Sequence, residues 1–173
     1  GGGFEVDGGE LMLLNVAMMW NTVTSDGGGT LLIDGVLDAT NITQAGDDAP
    51  TGGGIYASGT STVDLINAII AEAGTGVGVL IGGSASFTGT YNDVYGNVGG
   101  NYSGITDPTG TSGNISSDPL FAAWTDDGNA ANDDITLSST SPALDAGDPA
   151  AAYDDSDGTT NDMGAWGGPG SSW

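Results

Sequence analysis

The 173-residue sequence lacks cysteine, lysine, arginine and histidine altogether. Without cysteine there is no disulfide framework and no thiolate nucleophile, although this absence does not fix the cellular compartment. Without histidine there is no Ser-His-Asp triad, and without lysine there is neither a Walker-type phosphate loop nor a Schiff base. Any catalysis would therefore depend on carboxylates or on a bound metal ion, which favours a role other than that of an enzyme.

Negative charge, by contrast, is abundant, since 23 acidic residues give a formal net charge of −23. We expect no salt bridge, so each carboxylate must be satisfied by water, a backbone N–H, a hydroxyl, an amide or a metal ion. Binding to nucleic acid or to an anionic membrane is not expected, because both depend on basic residues. Two interpretations stay open: a surface adapted to salt or divalent cations, and specific metal binding.

Long apolar runs are also missing. The longest, Leu11 to Trp20, is interrupted by Asn15 and is shorter than the roughly 18 residues that a membrane-spanning helix needs. The chain starts at Gly1 without an initiator methionine or a signal peptide. We therefore expect a mature fragment or a piece of a longer protein.

Glycine is plentiful and recurs at regular intervals. Clusters of glycine begin at Gly1, Gly27, Gly52 and Gly76, which are 26, 25 and 24 residues apart. Each cluster leads into a short β-prone stretch, and a second apolar stretch follows in each unit. A repeat of this length, with short strands between turn residues, is typical of a solenoid. Glycine supplies the positive φ angles that its tight corners need.

Two other interpretations compete with the solenoid. An antiparallel sandwich with glycine-rich hairpins accounts for strands and turns, but not for clusters that return in order at near-constant spacing. Residues Leu65 to Gly74 fit a helix on periodicity alone, whereas their β-branched content and their place in the repeat favour a strand. The sequence thus predicts an all-β parallel β-helix with coils of about 24–26 residues over residues 1–96.

After Gly96 the repeat fades, and residues 97–173 contain five prolines and three Asp-rich stretches. Terminal units of a solenoid are atypical, because something must cover the last open coil. We therefore expect residues 97–173 to form terminal partial coils and a loop-rich C-terminal cap.

Four motifs in this second half carry a family resemblance. They are YNDVYGNVGGNYSG (91–104), GNISSDPLF (113–121), SPALDAGDP (141–149) and DDSDGTTNDMGAWGGP (154–169). In this order they resemble the C-terminal end of bacterial right-handed parallel β-helix repeat proteins, the pectate-lyase-like superfold of many secreted and surface proteins. The last two motifs also resemble a domain type that often precedes a surface-anchoring segment.

The resemblance implies a right-handed β-helix outside the cell or at the cell surface, and it leaves the activity open. The group includes adhesins, surface-layer components and carbohydrate-active enzymes. One departure is plain: the tail motif usually carries basic residues where this chain has Thr159 and Thr160. A salt-bridge role for that loop is therefore in doubt here. Enzymes that resemble pectate lyase take the proton with a basic residue, and this chain has none.

Calcium is the expected cofactor, and the best candidate site is the tail loop. Its oxygen-bearing residues alternate around Gly158, as Ca²⁺ prefers, but the loop is not an EF-hand because no Glu stands at the twelfth position. The candidate ligands are Asp154, Asp155, Asp157, Asn161 and Asp162. The alternative is an Asx-turn loop in which the carboxylates accept hydrogen bonds from backbone N–H groups.

A second acidic stretch is a weaker metal candidate. Its possible ligands are Asp126, Asp127, Asp133 and Asp134. The alternative is a solvated acidic loop, which is the more common fate of such a charge run. Acidic pairs are so frequent in this sequence that the paired carboxylates of a glycosidase cannot be recognised by spacing alone.

Aromatic and asparagine residues supply the remaining candidates. The four tryptophans could stack on sugars or cover buried surface: Trp20, Trp124, Trp166 and Trp173. Three sequons permit N-glycosylation, at Asn41, Asn101 and Asn114. In an asparagine-rich β-helix the same residues can instead occupy corners between strands.

Three functional hypotheses follow from the sequence. The first is an extracellular structural or adhesive module, which stacks its open coils end to end into filaments or a surface layer and is stabilised by calcium. The second is a carbohydrate-active enzyme with an all-carboxylate site, and the third is a carbohydrate-binding module. The expected partners are further copies of the chain or extracellular glycans.

Overall fold

The computed structural model describes residues 1–171, and the chain forms eleven β-strands and no helix within them. The strands are β1 (Phe4–Met19), β2 (Thr30–Ala45), β3 (Ile55–Ser58), β4 (Thr62–Ile66), β5 (Ile69–Ala71), β6 (Val79–Ile81), β7 (Ser86–Thr90), β8 (Asp93–Tyr95), β9 (Tyr102–Ser103), β10 (Phe121–Ala123) and β11 (Asp134–Leu137). No helical segment in this part of the chain is long and apolar enough to cross a lipid bilayer.

Strands β1 to β9 pair in parallel from one coil to the next. Phe4 pairs with Thr30, Thr30 with Ile55, Ile55 with Val79, and Val79 with Tyr102. These partners are 26, 25, 24 and 23 residues apart, so the coils shorten slightly along the chain. The predicted β-solenoid is confirmed, and the parallel register excludes an antiparallel sandwich. The only antiparallel pair in the described chain joins β10 to β11.

The paired segments form three faces. Face A contains residues 4–7, 30–33, 55–58, 79–81 and 102–103. Face B contains residues 10–14, 36–40, 62–66 and 86–90. Face C contains residues 16–19, 42–45, 69–71 and 93–95. The stretch Leu65 to Gly74 passes from β4 on face B to β5 on face C, so its interpretation as strand is confirmed.

The faces are joined by corners whose residues have positive φ. The first corner contains Gly8, Asp34, Gly59 and Gly83; the second contains Asn15, Asn41, Asn67 and Tyr91; the third contains Trp20, Gly46, Glu72 and Gly96. Glycine adopts this conformation without strain, and Asn and Asp adopt it more readily than other residues do. The regular return of glycine and asparagine in the sequence is thus the chemical signature of these corners.

The core fills the interior of the coils. Leu32, Leu37 and Ile42 point inward from the three faces of β2, and each is 0% exposed. Burial of side chains of this size stabilises the fold by about 1.5–3 kcal/mol each. In the first coil, Phe4 and Leu11 pack against the same core but are only partly buried. The outer edge of β1 pairs with no other strand within residues 1–171.

The C-terminal region is loop-rich, as predicted, and it covers the outer side of face C. Ile69 and Ala71 point outward from β5 and form a second apolar cluster with Ala143 and Met163. We refer to residues 143–168 as the strap. The strap is held by the asparagines of the second corner, because Asn15 donates to Ala165 O and Gly167 O, and Gly164 N donates to Asn67 O.

One expectation about charge is wrong. The α-ammonium group of Gly1 lies 2.9 Å from Oε2 of Glu5, so the chain does contain one salt bridge. The expectation counted side-chain cations only, and the N-terminal amino group is the one cation of the described chain. The Glu5 side chain is 56% exposed, so this ion pair adds little to stability.

Candidate functional site

A concave site lies where the third corner meets the segment after β9. Trp20, Gly46 and Glu72 follow one another in this corner at 26-residue intervals, so two large side chains emerge on the same side of the solenoid. Residues 118–126 pass beside them and close a groove of about 350 Å³. The groove is lined by Glu72, Asp118, Pro119, Leu120, Phe121, Trp124 and Asp126.

Aromatic rings form one wall of this groove. Trp124 stacks on Trp20 with 4.8 Å between ring centroids and 6° between ring planes. Phe121 packs against Trp124 at 5.9 Å in a tilted arrangement. Gly46 is required beneath the stack, since a Cβ atom there would lie 2.8 Å from atoms of both indole rings. The rings are therefore held in place before any ligand arrives, which reduces the entropy lost on binding.

Carboxylates also line the groove. Partial burial raises the pKa of Glu72, and the negative charges of Asp118 and Asp126 raise it further. Asp118 accepts a hydrogen bond from the backbone N–H of Leu120 at 2.9 Å. No hydrogen bond to Glu72 or Asp126 is found within residues 1–171, so both can accept hydrogen bonds from a ligand. The three negative charges make the groove unfavourable for an anionic ligand.

The remaining residues of the second acidic stretch are engaged in their own loop. Asp133 accepts hydrogen bonds from Trp20 Nε1 at 2.7 Å and from Thr125 N at 2.7 Å. Asp127 accepts from Asn129 N and Asn132 Nδ2, and Asp134 accepts from Thr136 N and Oγ1. Asp133 thus fixes the indole ring of Trp20, on which Trp124 stacks. Asp126 is the one member of this set that lines the groove.

Three of the predicted calcium ligands in the tail loop, Asp155, Asp157 and Asp162, lie near enough for their charges to interact. Asp155 accepts from the backbone N–H groups of Gly168 and Asp162, and Asp162 accepts from Asp145 N at 2.7 Å. Asp157 accepts from the N–H and hydroxyl of Thr159. Burial, with the charges of Asp155, Asp145 and Asp157, raises the pKa of Asp162 to about 6. The loop has the backbone-capping geometry of Asx turns together with an excess of negative charge.

Asn161 lies away from the solvent in this loop. Its side chain is 0% exposed, donates to Tyr153 O at 2.6 Å and accepts from Asn41 Nδ2 at 2.9 Å. Asp154 is half-buried beside it. Within residues 1–171, no group of three or more acidic side chains is placed so that it could hold a metal ion together. Calcium binding at this loop stays a prediction, which a titration can test.

The three sequon asparagines differ in exposure. Asn41 and Asn114 are each 1% exposed, and their side-chain amides donate to protein oxygens. Asn101 is half-buried and donates to Ser116 Oγ at 2.9 Å. A glycan on Asn41 or Asn114 would replace an amide hydrogen that is engaged in the fold. Glycosylation stays a prediction for all three.

The tryptophans fall into different environments. Trp20 and Trp124 form the stack at the groove, and Trp166 is half-buried in the strap. Trp173 lies outside the described residues. Sequence reasoning singled out Trp20, Trp124 and Asp126, but not Glu72, Asp118 or Phe121. A signal for Glu72 was present, because it stands 52 residues after Trp20, which is two coil lengths.

Comparison with known proteins gives no relative for this chain, since no family model, no curated protein and no solved structure matches it. What the groove binds therefore has to be inferred from its geometry and chemistry. Those features are an aromatic wall fixed by a stacked pair, carboxylate acceptors in the same groove, and a volume of about 350 Å³.

Proposed function

We propose that this chain is an extracellular adhesive module, a rigid β-solenoid that presents the Trp124 groove to glycans. The groove is the observation that carries the proposal. Sugars offer an apolar face that packs on an aromatic ring and hydroxyl groups that donate to carboxylates, and the groove places both partners around one volume. Its negative charge favours neutral or amino-bearing glycans over polyuronates.

Replacement of Trp124 by alanine is expected to weaken glycan binding about tenfold, because a ring that buries one sugar face contributes about 1.5 kcal/mol. Glycan-array and calorimetric titrations measure the effect on a neutral oligosaccharide that binds the unmodified protein. Trp124→Phe keeps an aromatic surface and should lose less. Met12→Ala, which removes a 71% exposed side chain on face B, is the control and should bind normally.

Equal binding by Trp124→Ala and the unmodified protein would contradict this proposal, as would preferential binding of polyuronates. A panel of polysaccharides incubated with the protein distinguishes binding from cleavage. New reducing ends that disappear in Glu72→Gln would favour the carbohydrate-active enzyme instead, because an all-carboxylate site would need a proton donor such as Glu72.

The first coil supports a structural role beside adhesion. Within residues 1–171, the outer edge of the 16-residue strand β1 pairs with no other strand, and the inward-facing Phe4 and Leu11 are only partly buried there. We propose that a further coil stacks on this edge, supplied by a second copy of the chain in a filament or surface layer. Because both partners are strongly negative, stacking should require salt or divalent cations.

Calcium is proposed as a stabiliser of the strap. Addition of Ca²⁺ to about 100 times its dissociation constant should raise the melting temperature by roughly 5–10 °C, since binding to the folded state alone stabilises it by about 2.7 kcal/mol. Differential scanning calorimetry measures the shift, and sedimentation of the same samples reports on stacking.

Asp157→Ala should abolish most of this calcium effect, because Asp157 is the exposed carboxylate of the loop. Asp38→Ala on face B removes one exposed charge without touching the loop, so it controls for general screening of the −23 charge. Equal calcium effects in the two variants would show that calcium acts by screening alone and would contradict the site.

A further inference from the structure

Asp93 is a buried carboxylate at the base of the groove wall. It stands on β8 in the column of face C that contains Thr43 and Ile69, and it is 0% exposed. Its Oδ1 accepts the backbone N–H of Ser117 at 3.0 Å, while its Oδ2 has no hydrogen-bond partner. A buried carboxylate oxygen without a donor is strongly destabilised when it is charged.

The groups that face Asp93 cannot neutralise it. Burial raises its pKa to about 7, against the lowering effect of the Ser117 N–H, and the charge of Asp118 raises it further. The hydroxyl of Tyr102 is also buried without a partner, and burial and the charges of Asp107 and Asp93 raise the pKa of Tyr102. The described chain offers no cation on this side of the solenoid. Ionised Asp93 would therefore face only neutral or negative groups.

The segment that contacts Asp93 continues directly into the wall of the groove. Ile115 forms a parallel bridge with Asp93, Ser117 donates to it, and residues 118–120 then line the groove. On their far side, Leu120 O accepts from Ser138 N and Pro119 O accepts from Ser141 Oγ. Bonds that do not titrate hold the start of the segment, since Ile115 N donates to Asn92 O at 2.8 Å, Val94 N donates to Ile115 O at 3.3 Å, and Asn101 Nδ2 donates to Ser116 Oγ at 2.9 Å. Residues 117–120 therefore lie between one titratable contact on β8 and fixed contacts on either side.

We propose that Asp93 is a pH-dependent latch that keeps segment 117–120 docked on β8 while it is protonated and releases that segment when it ionises. The Ser117 N–H favours ionised Asp93, but a charged Oδ2 also needs a donor, and water can supply one only if the packing around this buried atom opens. We infer that Ser117 and Asp118, which follow the bridge to Asp93, are the residues that move. The repulsion between Asp93 and Asp118 acts in the same direction. Opening of this wall changes the shape of the groove. The consequence for ligand binding rests on the proposed glycan function, whereas the opening itself does not.

Hydrogen exchange of the Ser117 amide from about pH 5 to about pH 9 tests the latch. After correction for the intrinsic rise of exchange rate with pH, protection should fall by up to about tenfold per pH unit as the pH approaches about 7 from below, and it should level off above that pH, where Asp93 is ionised in the docked state as well. Trp124 fluorescence should change over the same range. Asp93→Asn should stay protected at every pH, and Asp38→Asn should behave like the unmodified protein. A flat profile in the unmodified protein, or an unchanged transition in Asp93→Asn, overturns the latch.

Asp118→Asn keeps the test decisive if Asp93→Asn fails to fold. Removal of the repelling charge should lower the pKa of docked Asp93, so protection should level off at a lower pH and the total loss of protection should be smaller. An unchanged profile contradicts the latch. Glycan titrations at both ends of the range separate the two proposals: opening without any glycan binding refutes the adhesive function alone, and pH-independent binding without opening refutes the latch alone.

Discussion

The protein is expected to become more stable as the pH falls from about 8 to about 4, the reverse of the behaviour of most proteins whose carboxylates are paired with cations. Two fully buried acids dominate the effect, Asp47 on the turn after β2 and Asp93 on β8, with exposures of 1% and 0%. Burial is the largest cause of the raised pKa in both, to about 6 for Asp47 and about 7 for Asp93.

The surroundings of Asp47 show why a proton is favoured there. Its Oδ1 accepts from the N–H and Nδ2 of Asn21, both at 2.8 Å, but its Oδ2 has no donor. Oε1 of Gln44 is also buried without a donor. Both orphan oxygens approach Gly29, where a Cβ atom would lie 2.6 Å from Asp47 Oδ2 and 2.7 Å from Gln44 Oε1. A proton on Asp47 gives this pair of acceptors the donor it lacks.

The direction of the two pKa shifts determines how stability changes with pH. A carboxyl group whose pKa is higher in the folded state than its ordinary value of 3.8 binds its proton more tightly when folded. Its contribution to stability is therefore fully present below about pH 4 and is lost as the pH rises through about 6 for Asp47 and about 7 for Asp93. The two groups correspond to about 3 and about 4 kcal/mol of lost stability at high pH, to order of magnitude.

Urea unfolding at a series of pH values measures this dependence. Asp47→Asn should be more stable than the unmodified protein at about pH 8, by up to about 3 kcal/mol, and should show a flatter profile. Asp38→Asn on the exposed side of face B controls for the loss of one negative charge. If the Gln44 amide turned over, its Nε2 would donate to ionised Asp47, and the unmodified protein would then show no Asp47-dependent slope.

The solenoid could be predicted from the sequence because the signals for it are local and periodic. Each coil needs a residue with positive φ between its short strands. Gly59 and Asn41 adopt this conformation because of their own residue type, not because of contacts with distant residues. The alternation of buried and exposed residues on β2 is equally local, since successive side chains of a strand point to opposite faces. Periodic signals of this kind can be recognised in a single sequence.

The groove and the path of the strap could not be predicted from the sequence in the same way. Glu72 and Asp118 are 46 residues apart and belong to the same groove only because the coil length places the third corner beside the segment after β9. Asn41 and Asn161 are 120 residues apart, and their contact depends on the path of the strap along the second corner. Asn41 was recognised as a corner or a sequon, but nothing in its neighbourhood indicates a distant partner.

Replacement of Asn41 by alanine is expected to destabilise the fold by about 2–5 kcal/mol, the largest single effect that the strap predicts. Nδ2 of Asn41 donates to Asn161 Oδ1, Asp162 O and Gly164 O at 2.9, 3.1 and 3.2 Å. Loss of this donor leaves buried acceptors without a partner, at about 1–3 kcal/mol. The φ of 53° at this residue adds about 1–2 kcal/mol, because alanine has a Cβ and no local hydrogen bond.

Asn41→Gly separates the two causes, since glycine accepts the positive φ but cannot donate to the strap. Its loss of stability should be smaller than that of Asn41→Ala by the backbone contribution alone. Asp34→Gly is the matched control: Asp34 has a φ of 52° in the first corner and bonds Thr60 rather than the strap. Urea unfolding measures the free energies, and exchange of the Gly164 amide, which donates to Asn67 O, reports directly on strap docking. If Asn41→Gly keeps full stability and full protection of Gly164, the strap is held by its apolar contacts with Ile69 and Ala71, and the asparagines serve only to turn the corner.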